Sequence, residues 1–266
     1  MNIAVLLGIA TTLTVVLPLA WKWQLGVRRV ALFLMLTGIA CGMVLTILGP
    51  ALPVWVAAGV VATSTVAVSM VYLAYRFYRD PERSPTSSKG VIVSPADGVI
   101  VYVKRSEQGQ LPVATKRGRH CQVSELLKTS FYSSEVWVIG ISMSLLDVHV
   151  NRAPISGLVT VQKHFRGRFG SLRVAEREFD NERATTIIQG DRLEVAVVQI
   201  ASRLVRQIVS YVKVGGQLAL GQRMGAIRLG SQVDLILPAR ADLSIMAQVG
   251  TQVKAGETVV AIYKGK

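Results

Sequence analysis

Three transmembrane α-helices at the N-terminus, followed by a mostly β domain of barrel or sandwich-hybrid type with a few short helices, is the architecture this sequence predicts. Three observations carry it. No Asp, Glu, Lys, Arg or His occurs from Met1 to Trp21 or from Val30 to Tyr75, and all 16 acidic residues lie beyond Tyr75. After that point, short runs of Val and Ile recur between Gly, Pro and Asp turns.

A helix of about 20 apolar residues crosses a bilayer core. Residues 2–20 form one such span, and the uncharged stretch from Val30 is long enough for two. Pro50 and Pro53 interrupt it where a hairpin would turn, giving spans at roughly 30–49 and 54–75. Lys22, Arg28 and Arg29 sit between the first two spans, and Arg76, Arg79 and Arg83 follow the third. The positive-inside rule then puts the C-terminal region on the cytoplasmic face of the cell membrane. A signal peptide is the alternative for the first segment, but it lacks a basic n-region and a clear small-residue cleavage site.

The sequence divides into an anchor, 1–75, a polar, Pro-rich, basic juxtamembrane connector, 76–90, expected to run along headgroups, and a domain, 91–266. Three of the 30 basic residues precede Tyr75, leaving a surplus of 11 over the 16 acidic ones beyond it. A basic domain held at a membrane is attracted to anionic headgroups. Nucleic acid is not an expected partner, because no interleaved basic and aromatic motif is present. Cys41 and Cys121 are far apart, and His120, His149 and His164 lack metal-ligand spacing, so neither a disulfide framework nor a metal site is expected.

Within the domain, strands are expected at 91–93, 99–103, 136–143, 157–162, 185–188, 193–200, 208–212 and 233–237, with weak helical segments at 122–127 and 202–205. Val249-Gly250 and Ala255-Gly256 mark turns between short C-terminal strands, since glycine admits positive φ. These hairpins resemble those of biotinyl and lipoyl carrier domains, but Lys254 is misplaced for a carrier lysine.

The segments that carry chemistry are Phe77-Tyr-Arg-Asp-Pro-Glu-Arg83, Ser94-Pro-Ala-Asp-Gly98, Asp147-Val-His-Val-Asn-Arg-Ala-Pro154 followed by Gly157, Asn181-Glu-Arg183, Gln199-Ile-Ala201 and Gly225-Ala-Ile-Arg-Leu-Gly-Ser231. Taken alone, each has an ordinary reading. Gly-Ser is a turn, Pro-x-Asp-Gly is a turn, and a lone histidine is most often structural. Together, in this order, they resemble the short bacterial type of phosphatidylserine decarboxylase from Arg76 to Leu237.

The resemblance implies a self-cleaving carboxy-lyase. The Ser231 hydroxyl would attack the Gly230 carbonyl, converting the amide to an ester. Loss of the Ser231 α-proton would expel that ester, and hydrolysis of the resulting dehydroalanine would leave a covalent pyruvoyl cofactor and ammonia. The products would be a large chain, 1–230, and a small chain, 231–266, held together as partners. His149 would shuttle protons and Asp97 would orient and stabilise its imidazolium, in an Asp-His-Ser arrangement. The substrate would be membrane phosphatidylserine and the products phosphatidylethanolamine and carbon dioxide.

Two departures bear on this transfer. Arg152 stands where a longer subfamily carries a second histidine, and Ala184 stands where asparagine is usual. Arg152 could bind the lipid carboxylate or phosphate, or form a structural salt bridge. His120 and His164 lie in basic stretches expected to face headgroups or water. The alternatives are a decarboxylase acting on an ether-lipid serine headgroup, one acting on a soluble amino acid, and a membrane-anchored barrel-sandwich adaptor or carrier without catalysis. An oligomer is compatible with all of them.

Overall fold

The protein is described here by a computed structural model. It describes residues 3–22, 25–48, 52–86, 90–106, 110–112, 120–122, 127, 135–167, 181–201, 207–228 and 231–264. The chain forms two compact units, one of Met1–Arg79 with Ser144–Leu146, the other of Asp80–Met143 with Asp147–Lys266.

The first unit contains α1 (Ile3–Lys22), α2 (Val27–Leu48) and α3 (Val54–Tyr78), each long and apolar enough to cross a membrane. Small and branched residues let the three pack closely, with Ala4, Val5, Ile9, Leu34, Ala57 and Val61 buried between them. Thr12 and Thr65 are buried too, and their hydroxyls donate to the carbonyls of Gly8 at 2.9 Å and Val61 at 2.7 Å, so no polar hydrogen is stranded. Leu36, Ile47, Trp55 and Val71 remain exposed, as a lipid-facing surface requires. The third helix runs three residues beyond the expected span and includes Arg76. The Leu146 carbonyl accepts from Arg76 Nη2 at 3.3 Å and Arg79 Nη2 at 3.0 Å.

The second unit is built of strands: β1 (Val91–Val93), β2 (Gly98–Arg105), β3 (Gln110–Pro112), β4 (His120–Gln122), β5 (Val136–Met143), β6 (Val150–Arg152), β7 (Gly157–Phe165), β8 (Arg183–Gln189), β9 (Glu194–Ala201), β10 (Gln207–Ser210), β11 (Gln217–Leu218), β12 (Arg223–Arg228), β13 (Ser231–Pro238), β14 (Leu243–Ile245), β15 (Gln252–Val253) and β16 (Val259–Tyr263). The main sheet has the order β11-β7-β8-β9-β13-β5-β2-β15. Its paired neighbours are antiparallel, as hairpin-connected strands allow. Two three-stranded sheets, β1-β16-β14 and β10-β12-β6, and the hairpin β3-β4 complete it.

Both faces of the main sheet are covered. Alternation along β13 sends Val233, Leu235 and Leu237 to the larger core and Ile236 to a smaller one with Val136, Val138, Ile187 and Val198. Each such aliphatic side chain contributes about 1.5–3 kcal/mol by leaving water. Burial on both faces matches the continuous burial along β8 and β9, where Thr185, Thr186 and Gln199 are buried beside the aliphatic residues. Of the two helical expectations, 202–205 lies outside the described residues. In the other, Gln122 ends strand β4 instead, Leu127 is helical, and 123–126 lie outside. Gly250 and Gly256 take φ of 89° and 75°, as their turns require.

A polar cluster crosses the smaller face. Tyr102 Oη donates to Asp234 Oδ1 at 2.7 Å, and Gln232 Nε2 donates to both, at 2.7 Å and 2.9 Å. The Tyr102 ring reaches Asp234 by lying over Gly140, where an added Cβ would fall 2.3 Å from the ring. Gly140→Ala therefore displaces the ring and strains the bond to a fully buried carboxylate. The expected cost is about 2–4 kcal/mol, read as a lower denaturation midpoint.

Candidate active site

The main sheet and the β6-β12 pair bring together the termini of several strands. Ser231 opens β13 in mid-sheet, its Cα opposite Met143 of β5 on one side and Ala201 of β9 on the other. Leu229 and Gly230 lie outside the described residues, and of Ser231 only the backbone is described.

Register ties His149 to this end. In the β6-β12 ladder Val150 faces Ala226 and Asn151 faces Gly225, and the Ile227 N–H donates to the His149 carbonyl at 3.1 Å. His149 is thereby fixed alongside a residue four positions before Ser231. Its side chain is buried, 4% exposed as a residue. Burial pushes the imidazole pKa down to about 4, against the smaller upward pull of the Asp147 backbone and charge. The ring is neutral at pH 7 and able to accept a proton.

Asp97 approaches from β2. Val99, two residues on, is opposite Ser142, beside the Met143 that faces Ser231. The carboxylate is 8% exposed and accepts from the Arg83 guanidinium at 3.0 and 3.3 Å and from the Ala255 N–H at 2.7 Å. The Val148 N–H, the backbone group immediately before His149, also favours its charged form, by a smaller margin. Burial raises its pKa, and the Ala255 and Val148 N–H groups and Arg83 counter that rise. The charge acting on the His149 ring is that of Asp147, while Asp97 engages the backbone beside it.

Arg152 is committed elsewhere. Its Nη1 donates to the Gly221 carbonyl at 3.0 Å, and its Nη2 to Pro81 O at 2.9 Å and Asp80 Oδ1 at 3.2 Å, with the side chain 4% exposed. Of the two readings of this residue, the structural ion pair is the one its geometry matches. Arg223 pairs with Asp80 and, at 2.7 Å, with Glu82. Within the stretch expected to run along headgroups, Asp80, Glu82 and Arg83 each form an ion pair. Their charges are satisfied within the second unit, because carboxylates and guanidiniums of opposite sign lie within reach. His164 likewise meets a carboxylate, Glu182 Oε1, at 2.7 Å. His120 is described only as backbone in β4.

Sequence reasoning assigned no role to three buried residues here. Gln199 Nε2 donates to Asn151 Oδ1 at 2.7 Å, and Asn151 Nδ2 reaches Met143 Sδ at 3.9 Å, which sets an uncharged amide pair beside the residue opposite Ser231. The third is Arg83. Both amides and Arg83 sit inside motifs quoted above, so the signal was there, but nothing in a local segment names its distant partner.

Residues 72–261 match the family model described as phosphatidylserine decarboxylase. A Methanocaldococcus jannaschii protein, provisionally named an archaetidylserine decarboxylase proenzyme, is 39% identical over 196 residues, covering 74% of this chain and 92% of the relative. Proteins named phosphatidylserine decarboxylase proenzyme from Trichlorobacter lovleyi and Geobacter sulfurreducens are 36% identical over 198 residues and 34% over 225. They cover 74% and 84% of this chain, and 80% and 92% of the relatives. The match spans the segments that converge on the start of β13, and by it this chain belongs to the phosphatidylserine decarboxylase family.

Proposed function

We propose that this chain is a membrane-anchored proenzyme that cleaves itself between Gly230 and Ser231, gains a pyruvoyl group at residue 231, and converts phosphatidylserine to phosphatidylethanolamine and carbon dioxide. What supports this reading is strand register: Ser231 pairs with Met143, Val99 beyond the Asp97 turn pairs with the adjacent Ser142, and the His149 carbonyl accepts from Ile227, four residues before Ser231.

The surrounding residues fit a pyruvoyl group. Residue 231 begins its strand, so a chain break before it leaves the ladder from Gln232 to Pro238 intact. The Asn151-Gln199 amide pair offers neutral polar groups for carbonyl oxygens without adding a competing nucleophile. When formed, the group supplies a carbonyl system that takes up the electron pair left by departing carbon dioxide.

The chain's own residues do the rest. A neutral His149 accepts the Ser231 hydroxyl proton as the oxygen attacks the Gly230 carbonyl; the carbon–nitrogen bond breaks and an ester forms. Removal of the Ser231 α-proton then breaks the Cβ–O bond, releasing Gly230 as a carboxylate, and water displaces ammonia. The Ile227 N–H fixes the backbone that carries His149, and Asp97 sits beside the preceding Val148 N–H. In turnover one proton must reach the α-carbon that loses carbon dioxide, and His149, or a water it holds, delivers it. Ionic pairing of Asp80 with Arg152 and Arg223 keeps the Asp80–Arg83 stretch in place on this unit.

Three apolar helices suit a substrate that stays in the bilayer, and the positive-inside bias favours a cytoplasmic domain. Anchoring raises the local concentration of enzyme and lipid. An ether-linked serine lipid is the second reading, favoured by the name of the Methanocaldococcus relative. Carbon dioxide release from vesicles of diacyl phosphatidylserine, from vesicles of the ether lipid and from free serine tests the assignment. Release from diacyl vesicles at least about 100-fold faster than from free serine is expected, a discrimination of about 3 kcal/mol. Equal rates on free serine would sink the lipid reading, and a preference for the ether lipid would replace it with the second.

A further inference from the structure

Asp97 is the point where distant parts of the second unit meet. From the Asp80–Arg83 stretch comes the Arg83 guanidinium, 8% exposed, with Nη2 on Asp97 and Nη1 on Glu257 Oε2 at 3.1 Å. From the C-terminal turn comes the Ala255 N–H on Asp97 Oδ1. The same turn is pinned to the Asp97 loop by Gly256 N–H to Ser94 O and by Ser94 N–H to Thr258 O, both 2.8 Å. From the segment before β6 comes the Val148 N–H. Two carboxylates thus share one buried guanidinium, and the other cation at the turn, Lys254, is 65% exposed with its Nζ 3.9 Å from Glu257.

We infer that Arg83, clamped by Glu257, is a positioning residue that keeps Asp97 ionised and aimed at the Val148 N–H, so that the C-terminal turn governs how His149 is held. The inference rests on the self-cleavage reading above. Its physical basis is that an ionised carboxylate binds a backbone N–H about twice as strongly as a neutral acceptor does. Without Arg83, burial and the like charge of Asp147 favour the neutral Asp97 acid, opposed by the Ala255 N–H. Loss of the guanidinium therefore moves the balance towards the protonated acid. Because Asp97 and Arg83 would lie in the large chain and Ala255 to Glu257 in the small one, the clamp also gives the proposed small chain a hold on the large one beyond the β13 ladder.

The test follows self-cleavage of the full-length chain in detergent from pH 4.5 to 9, with thermal melting of each variant measured alongside. Arg83→Met is expected to move the acidic limb of the rate profile upward by about one unit, the range for losing a neighbouring opposite charge, and so to slow cleavage about tenfold on that limb. Arg83→Lys should recover part of both. Glu257→Gln, at a half-buried position, frees Arg83 for Asp97 alone and should move the acidic limb down by less than about one unit. An Arg83→Met protein that melts lower yet keeps the wild-type pH profile overturns the inference, because a merely structural pair would behave that way. Should Arg83→Met fail to fold, an unmoved limb in Glu257→Gln overturns it equally. A wild-type chain that never cleaves defeats the self-cleavage reading itself.

Discussion

Ser231→Ala is expected to leave the protein as a single 266-residue chain with no lipid decarboxylation above background. The loss should reach a factor of about 10⁶ or more, because the variant lacks both the nucleophile and the group made from it, and nothing else in the proposed site can serve as an electron sink. The fold should survive. Residue 231 is held by backbone pairing to Met143 and Ala201, which alanine provides equally, so stability should change by less than about 1 kcal/mol. Denaturing electrophoresis and melting on the same preparation separate the two effects. Decarboxylation by an uncleaved Ser231→Ala protein would show that the cofactor is not made from this serine.

His149→Gln is expected to slow self-cleavage by about 10²–10⁴-fold, the usual worth of a positioned general base. Glutamine keeps a polar side chain of similar reach, and the main-chain bond from Ile227 N–H to the residue 149 carbonyl is unaffected. The substitution should also alter acid stability in a defined direction. An unfolded histidine titrates near its ordinary value of about 6.5, whereas buried His149 titrates at about 4. Between those values the unfolded chain takes up a proton that the folded chain refuses, so stability falls as pH is lowered through that window. By pH 4 the wild type has lost about 3 kcal/mol from this source, while above 6.5 the effect vanishes. His149→Gln should lack this part of the acid loss in denaturant titrations at pH 7 and pH 4. An unchanged cleavage rate in the variant would remove His149 from the processing step.

The three apolar helices were readable in the sequence because helices long enough to cross a bilayer follow so few patterns: long uncharged runs, proline at a turn and arginines at the ends. The expected spans end at 20, 49 and 75, and the helices at Lys22, Leu48 and Tyr78. The last one runs on because Arg76 can extend past the apolar zone while its backbone stays helical. Strands β5, β9 and β13 were legible from Val and Ile alone, and β8 from its β-branched run Thr185 to Ile188. Strands β6, β11 and β12 were not: they are short or carry Asn, Gln and Arg, and they exist because a tertiary partner accepts their hydrogen bonds, while β14 to β16 were expected only as short strands between glycine turns, without bounds.

The candidate site shows the same division. Ser231, His149 and Asp97 could be named from motifs, but which atoms they meet is a matter of register. That the Ile227 N–H reaches His149 depends on the β6-β12 ladder, and that Arg83 reaches both Asp97 and Glu257 spans 174 residues of sequence. Arg152 illustrates the converse. Its residue type suits a phosphate or a carboxylate, and only its surroundings decide that the carboxylate it meets is Asp80 of its own chain.

The mass of the purified wild-type protein, measured intact under denaturing conditions, tests the central claim most directly. The account predicts two species, residues 1–230 and residues 231–266, the second lighter by one ammonia than a peptide beginning with serine. A single 266-residue mass in a preparation that decarboxylates phosphatidylserine would contradict it.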